Sequence, residues 1–72
     1  MTNQGFYAFC RDQRTMESDQ HKREALIEVY KYMWECGVTK AGVAAFLAHL
    51  ISQTSDEAKI AAYQWLSEQF GK

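Results

Sequence analysis

Residues 24–54 read EALIEVYKYMWECGVTKAGVAAFLAHLISQT, and this stretch decides the fold. In its first half Glu24, Glu28, Lys31 and Glu35 recur at i, i+4, i+7 and i+11, one narrow polar stripe at about 100° per residue. The other side holds Ala25, Leu26, Ile27, Val29, Tyr30, Met33, Trp34 and Cys36. That apolar arc is about 200° wide, against about 100° for an ordinary surface helix. The spacing predicts a helix over residues 19–36 that contacts structure on two sides. Gly37 suits the left-handed position that ends a helix, where a Cβ is penalised. Thr39 is a good N-cap for a third helix over residues 40–53. There Val43, Phe46, Leu47, Leu50, Ile51 and Thr54 form one apolar stripe, and Ala41, Ala45, Ala48 and Ser52 a second, small-residue stripe. Between Lys40 and Asp56 the one ionisable side chain is His49, so this helix is expected to be the buried centre of the fold or of a dimer.

Working outward, Thr54 and Glu57 fit a capping box at the start of a fourth helix. Its inward residues are expected to be Tyr63, Leu66 and Phe70, with Gly71 as the stop. Toward the N-terminus, Phe6, Phe9 and Cys10 fall at helical spacing, which predicts a short helix over residues 4–14 capped by Thr2 or Asn3. Residues 11–24 are the most polar stretch and read as a connector, with Thr15, Ser18 or Asp19 as the next N-cap. The expected fold is all-α: a compact bundle of three main helices plus a short N-terminal helix, in one small domain over residues 1–72.

Composition excludes several classes. Eight Lys and Arg stand against nine Asp and Glu, so no charge excess drives generic nucleic-acid binding. No apolar run approaches the roughly 18 residues of a membrane span. Met1 to Gly5 has neither a basic nor a long apolar segment of the kind that opens a secretory leader. A cytoplasmic location and free thiols at Cys10 and Cys36 are therefore expected.

Motifs for chemistry are absent. Cys10, His21, Cys36 and His49 are 11 to 15 residues apart, whereas small zinc sites take their ligands in close pairs. His49 and Ser52 share a helix face, with no oxyanion loop beside them. No phosphate-cradling glycine motif occurs. No catalytic, metal-binding or cofactor-binding residue is assigned, and the chain is not expected to be an enzyme.

The turn Cys36-Gly37-Val38-Thr39-Lys40, with Tyr32, Val43 and Phe46 around it, resembles the turn of helix-turn-helix DNA-binding repressors. The resemblance implies a reading helix that exposes Thr39, Lys40, Ala44 and Ala45. It departs from the pattern at Met33, where a small residue usually lets the helices cross. It also lacks the Arg, Asn and Gln that read base edges. Phe6-Tyr7-x-Phe9 with Arg14, and Asp56-Glu57-Ala58 ahead of Tyr63 and Trp65, resembles small sterile-alpha-motif-like helical domains. The prolines usual there are absent, and this resemblance implies only a compact four-helix domain.

The function expected from the sequence is a small protein-interaction module, an accessory or inhibitory protein that acts by binding a partner protein, a second copy of itself included. Tyr30, Tyr32, Trp34 and Trp65 are the expected contact residues, because interfaces favour Tyr, Trp, Phe, Met and Arg. Arg11, Arg14, Lys22 and Arg23 are the candidates for touching phosphate, although Asp12, Glu17, Asp19 and Glu24 interleave them. The alternative is a helix-turn-helix DNA-binding regulator.

Overall fold

Each helix starts on an oxygen-bearing side chain that takes up one of its otherwise unpaired amide groups. In the computed structural model, which describes residues 1–72, Thr2 accepts from the Gly5 N–H and opens α1 (Asn3–Met16). Asp19 accepts from the Lys22 N–H and opens α2 (Gln20–Cys36). That bond also holds the Asp19 carboxyl below its ordinary value. Thr39 accepts from the Gly42 N–H and opens α3 (Lys40–Ser52). Asp56 accepts from the Ala58 and Lys59 N–H groups and opens α4 (Glu57–Gly71). The structure is wholly helical, with no strand.

Three of these caps stand where the sequence places them, and the fourth is displaced. The Thr54 hydroxyl accepts instead from the Asp56 N–H at 3.1 Å, so Asp56 caps two residues later than expected. Gly71 is the last residue of α4 rather than a residue beyond it. The N-terminal helix is also no minor element, since its 14 residues exceed the 13 of α3. The polar residues Arg11 to Thr15 continue the helix. Thr15 turns its hydroxyl back to the Asp12 carbonyl at 2.9 Å, leaving only residues 17–19 to connect α1 and α2.

α2 packs against all three other helices, as its wide apolar arc implies. The core consists of Phe6 and Cys10 from α1, Ala25, Leu26, Val29 and Met33 from α2, Val43 and Leu47 from α3, and Ala62, Tyr63, Leu66 and Phe70 from α4. The rings of Phe6 and Phe70 stack at 4.0 Å with 5° between planes. Tyr63 donates to Glu28 of α2 at 2.8 Å.

The expectation that α3 is the buried centre of the fold is corrected. Only Val43 and Leu47 of that helix are buried, while Ala41, Ala44, Ala45, Ala48 and His49 are exposed. The reason lies in its alanines. A run without charges signals burial when its side chains are large, but Ala has little apolar area to withdraw from water. The centre lies instead where α2 meets α1 and α4.

Two glycines shape the α2–α3 hairpin. Gly37 caps α2, its N–H donating to the Met33 carbonyl at 2.9 Å. Its φ is positive at 93°, as the turn requires, but its ψ of 169° is extended rather than left-handed helical. This is a region that only glycine enters readily. At Gly42 the reason is space. An added Cβ would lie 2.7 Å from the Thr39 hydroxyl and 2.9 Å from that of Tyr32, whose ring stacks on Phe46 at 4.4 Å. Alanine at position 42 gains up to about 1 kcal/mol of helix propensity. It also pushes on the cap, whose full loss costs about 1 kcal/mol, and on the Tyr32–Phe46 stack. Gly42→Ala is therefore expected to be net destabilising in a urea titration. Tyr32→Phe in the same chain should relieve the part of the strain that falls on the Tyr32 hydroxyl, giving a double-mutant coupling above about 0.5 kcal/mol. Strict additivity would contradict the contact.

Candidate interaction surface

The surface is built from two helical rows. On α1, Tyr7, Arg11 and Arg14 stand at i, i+4 and i+7; on α2, Arg23, Ile27, Tyr30 and Trp34 stand at i, i+4, i+7 and i+11. Such spacings put side chains on one side of a helix. The short 17–19 connection folds α2 back along α1, and the two rows meet. The rings of Tyr7 and Tyr30 lie 5.2 Å apart, and the Tyr7 hydroxyl donates to that of Tyr30 at 3.4 Å. This contact is the main cause raising the Tyr7 phenol above its ordinary value. The Arg14 guanidinium sits 4.2 Å over the Tyr30 ring and donates to the Arg11 carbonyl. Arg23 donates to the Glu17 carbonyl at 3.2 Å, where α1 ends. Arg11 pairs with Asp12 at 3.0 Å, and that hydrogen bond holds the Asp12 carboxyl below its ordinary value. Trp34 is 70% exposed and Ile27 47%. A cation over an aromatic face and a bare indole beside it are chemistry suited to recognising another molecule.

The four aromatics expected at an interface do not share one surface. Tyr30 and Trp34 lie on this one. Tyr32 faces the other way, onto Phe46 of α3. Trp65 is half-buried 6.2 Å from Phe9, with the Lys22 ammonium 4.8 Å over its ring. The expected basic group divides likewise: Arg11, Arg14 and Arg23 join the α1–α2 seam, and Lys22 leaves it for Trp65. Tyr7 and the outward position of Ile27 escape sequence reasoning. The i, i+7 spacing of Tyr7 to Arg14 is the available signal for the first. For the second, the wide apolar arc of α2 hides which edge stays uncovered.

Elsewhere the chain gathers less. No group of three or more His, Cys, Asp or Glu side chains is placed to hold a metal ion. The Ser52 hydroxyl donates to the His49 carbonyl at 2.7 Å, so it is engaged by backbone rather than by the imidazole. Cys10 is fully buried and Cys36 exposed, both as free thiols; burial pushes the Cys10 thiol up to about 12. A cleft of about 200 Å³ between α3 and α4 is lined by Lys40, Val43, Ala44, Leu47, Ser67, Phe70 and Gly71. Thr39, Lys40, Ala44 and Ala45 are all exposed, with the Lys40 ammonium 5.6 Å over the Phe70 ring. No helix is long and apolar enough to cross a membrane. No protein-family model matches the chain, and no curated protein or solved structure is significantly similar to it.

Proposed function

We propose that the chain is a small protein-interaction module, an accessory or inhibitory protein that acts by occupying a partner rather than by catalysis, and that it works in the cytoplasm. The observation that carries this reading is the exposure of Trp34 and Ile27 along one edge of α2, beside the arginine-bearing seam with α1. The other aromatics are buried or half-buried. Trp34 is the one aromatic left exposed, a feature that binding can use, because Trp, Tyr and Arg dominate the energetics of interfaces.

Comparative affinity capture from native lysate tests it, with wild type and Trp34→Ala immobilised in parallel after nuclease treatment. One protein retained in near-stoichiometric amount by wild type and lost by Trp34→Ala supports the module. Equal recovery by both places the function elsewhere. Light scattering over a concentration series supplies the homodimer arm. A mass of two chains that falls to one with Trp34→Ala identifies the partner as a second copy.

The exposure of Thr39, Lys40, Ala44 and Ala45 favours one second reading, a helix-turn-helix DNA-binding regulator. Against it, that face offers a single lysine and no side chain of the kind that reads base edges. Failure to shift random duplex at low salt would remove it.

A further inference from the structure

All three arginines of the chain, Arg11, Arg14 and Arg23, lie on the α1–α2 seam, beside Ile27, Tyr30 and Trp34. Of the lysines, Lys22 turns to Trp65 and Lys40 to Phe70. The chain as a whole carries a net charge of −1, and all of its guanidinium groups gather on this one seam, interleaved with the carboxylates of Asp12, Glu17, Asp19 and Glu24. The single ion pair of the structure is Arg11 with Asp12. Arg14 and Arg23 are half-buried, and neither has a carboxylate partner; their own contacts are a tyrosine face and backbone carbonyls. The acids nearest in sequence are engaged elsewhere: Asp12 pairs with Arg11, and Glu24 accepts from the Gln20 amide at 3.3 Å. Glu17 accepts from Gln13 and from the Asp19 N–H, and Asp19 caps α2.

A planar guanidinium held in place, with donors left over, matches a planar or tetrahedral oxyanion, a carboxylate or a phosphate. The exposed Ile27 and Trp34 offer the apolar half of the same contact. We infer that the α1–α2 seam docks an acidic, amphipathic segment of another protein, its Asp or Glu side chains on Arg14 and Arg23 and a bulky apolar residue against Ile27 and Trp34. A peptide fits better than a nucleic-acid strand. It can place one or two carboxylates and keep uncharged residues against Glu24 and Glu35 on the outer shoulder of α2, whereas a strand brings a phosphate with every nucleotide.

This inference rests on the interaction-module reading, and the test separates the two. A random twelve-residue peptide library displayed on phage is panned against the full chain. The enriched peptides are then synthesised and titrated by fluorescence anisotropy at low and high salt. Net-acidic peptides carrying at least one bulky apolar residue are expected. Trp34→Ala and the Arg14→Gln/Arg23→Gln double variant should each weaken binding about tenfold or more, and the double variant should also flatten the salt dependence. Helical circular dichroism of each variant confirms that the loss is not unfolding. Neutral or basic peptides that bind in a Trp34-dependent way would overturn the acidic assignment and leave the interaction module standing. No enrichment, or binding indifferent to all three substitutions, would overturn the seam as the docking site. A twelve-residue oligothymidylate that displaces the peptides and binds more tightly would overturn it in favour of nucleic acid.

Discussion

Phe6→Ala is expected to unfold most of the population at 25 °C or to lower the thermal midpoint by about 12 °C or more. Phe6 is fully buried, stacked on Phe70 and 6.3 Å from Phe9. Truncating a buried Phe to Ala costs about 3–5 kcal/mol, in lost transfer energy and the cavity left behind. A 72-residue domain has only about 4–11 kcal/mol in total, and in this size range each kcal/mol moves the midpoint by about 4–8 °C. Phe6→Leu, which keeps most of the volume, should lose much less. A circular-dichroism melt of Phe6→Ala within a few degrees of wild type would contradict the packing of α1 against α4.

The second large effect is alkaline unfolding. Burial pushes the Cys10 thiol from 9.0 up to about 12. Burial, with the hydrogen bond to Glu28, pushes the Tyr63 phenol from 10.0 up to about 12. Both groups are neutral in the fold and ionise more readily once unfolded. The folded state therefore holds more protons than the unfolded state at alkaline pH, and stability falls as pH rises. The contribution is intact well below pH 9, where neither unfolded group has ionised appreciably. It is lost progressively as pH climbs through the folded values near 12. Each tenfold difference in proton affinity between the two states is worth about 1.4 kcal/mol, so the Cys10 thiol contributes at most about 4 kcal/mol. The Tyr63 phenol contributes less, because its displacement is smaller and its hydroxyl lies nearer the solvent than the Cys10 sulfur. Urea midpoints taken from pH 8 to 11.5 should drop steeply. Cys10→Ala and Tyr63→Phe should each flatten that slope, whatever they do to stability at neutral pH. Cys10 should resist alkylation until the midpoint is passed. A wild-type profile that stays level to pH 11.5 would contradict the burial of both groups.

The helices are legible in the sequence because their starts are local chemistry. Thr2, Asp19 and Thr39 can be recognised as caps because a short side chain with an acceptor oxygen has few better uses ahead of a helical run. Asp56 is harder, since Thr54 offers the same chemistry two residues earlier and the choice rests on the path of the chain between α3 and α4. Burial is legible where residues are large, as for Phe6, Leu26, Tyr63, Leu66 and Phe70. It is misleading along α3, where alanines leave no trace of which way they face. The candidate surface is half legible. Tyr30, Trp34 and the three arginines stand out by type, but their meeting depends on the register between α1 and α2, which no local pattern encodes. Tyr32 and Trp65 match Trp34 in kind and differ only in having a neighbour to lie against.

The Phe6–Phe70 stack also joins α1 to α4, the first and the last of the four helices. One ring stands near the start of the chain and the other near its finish, so the polypeptide is a ring closed without a covalent bond. α1 and α4 are thus coupled through this stack as well as through α2, so Phe70→Ala is expected to loosen α1 along with α4. The same proximity makes circular reordering of the chain geometrically natural. A bridge joining α4 to α1, with new ends cut at residues 53–55 between α3 and α4, leaves every helix intact.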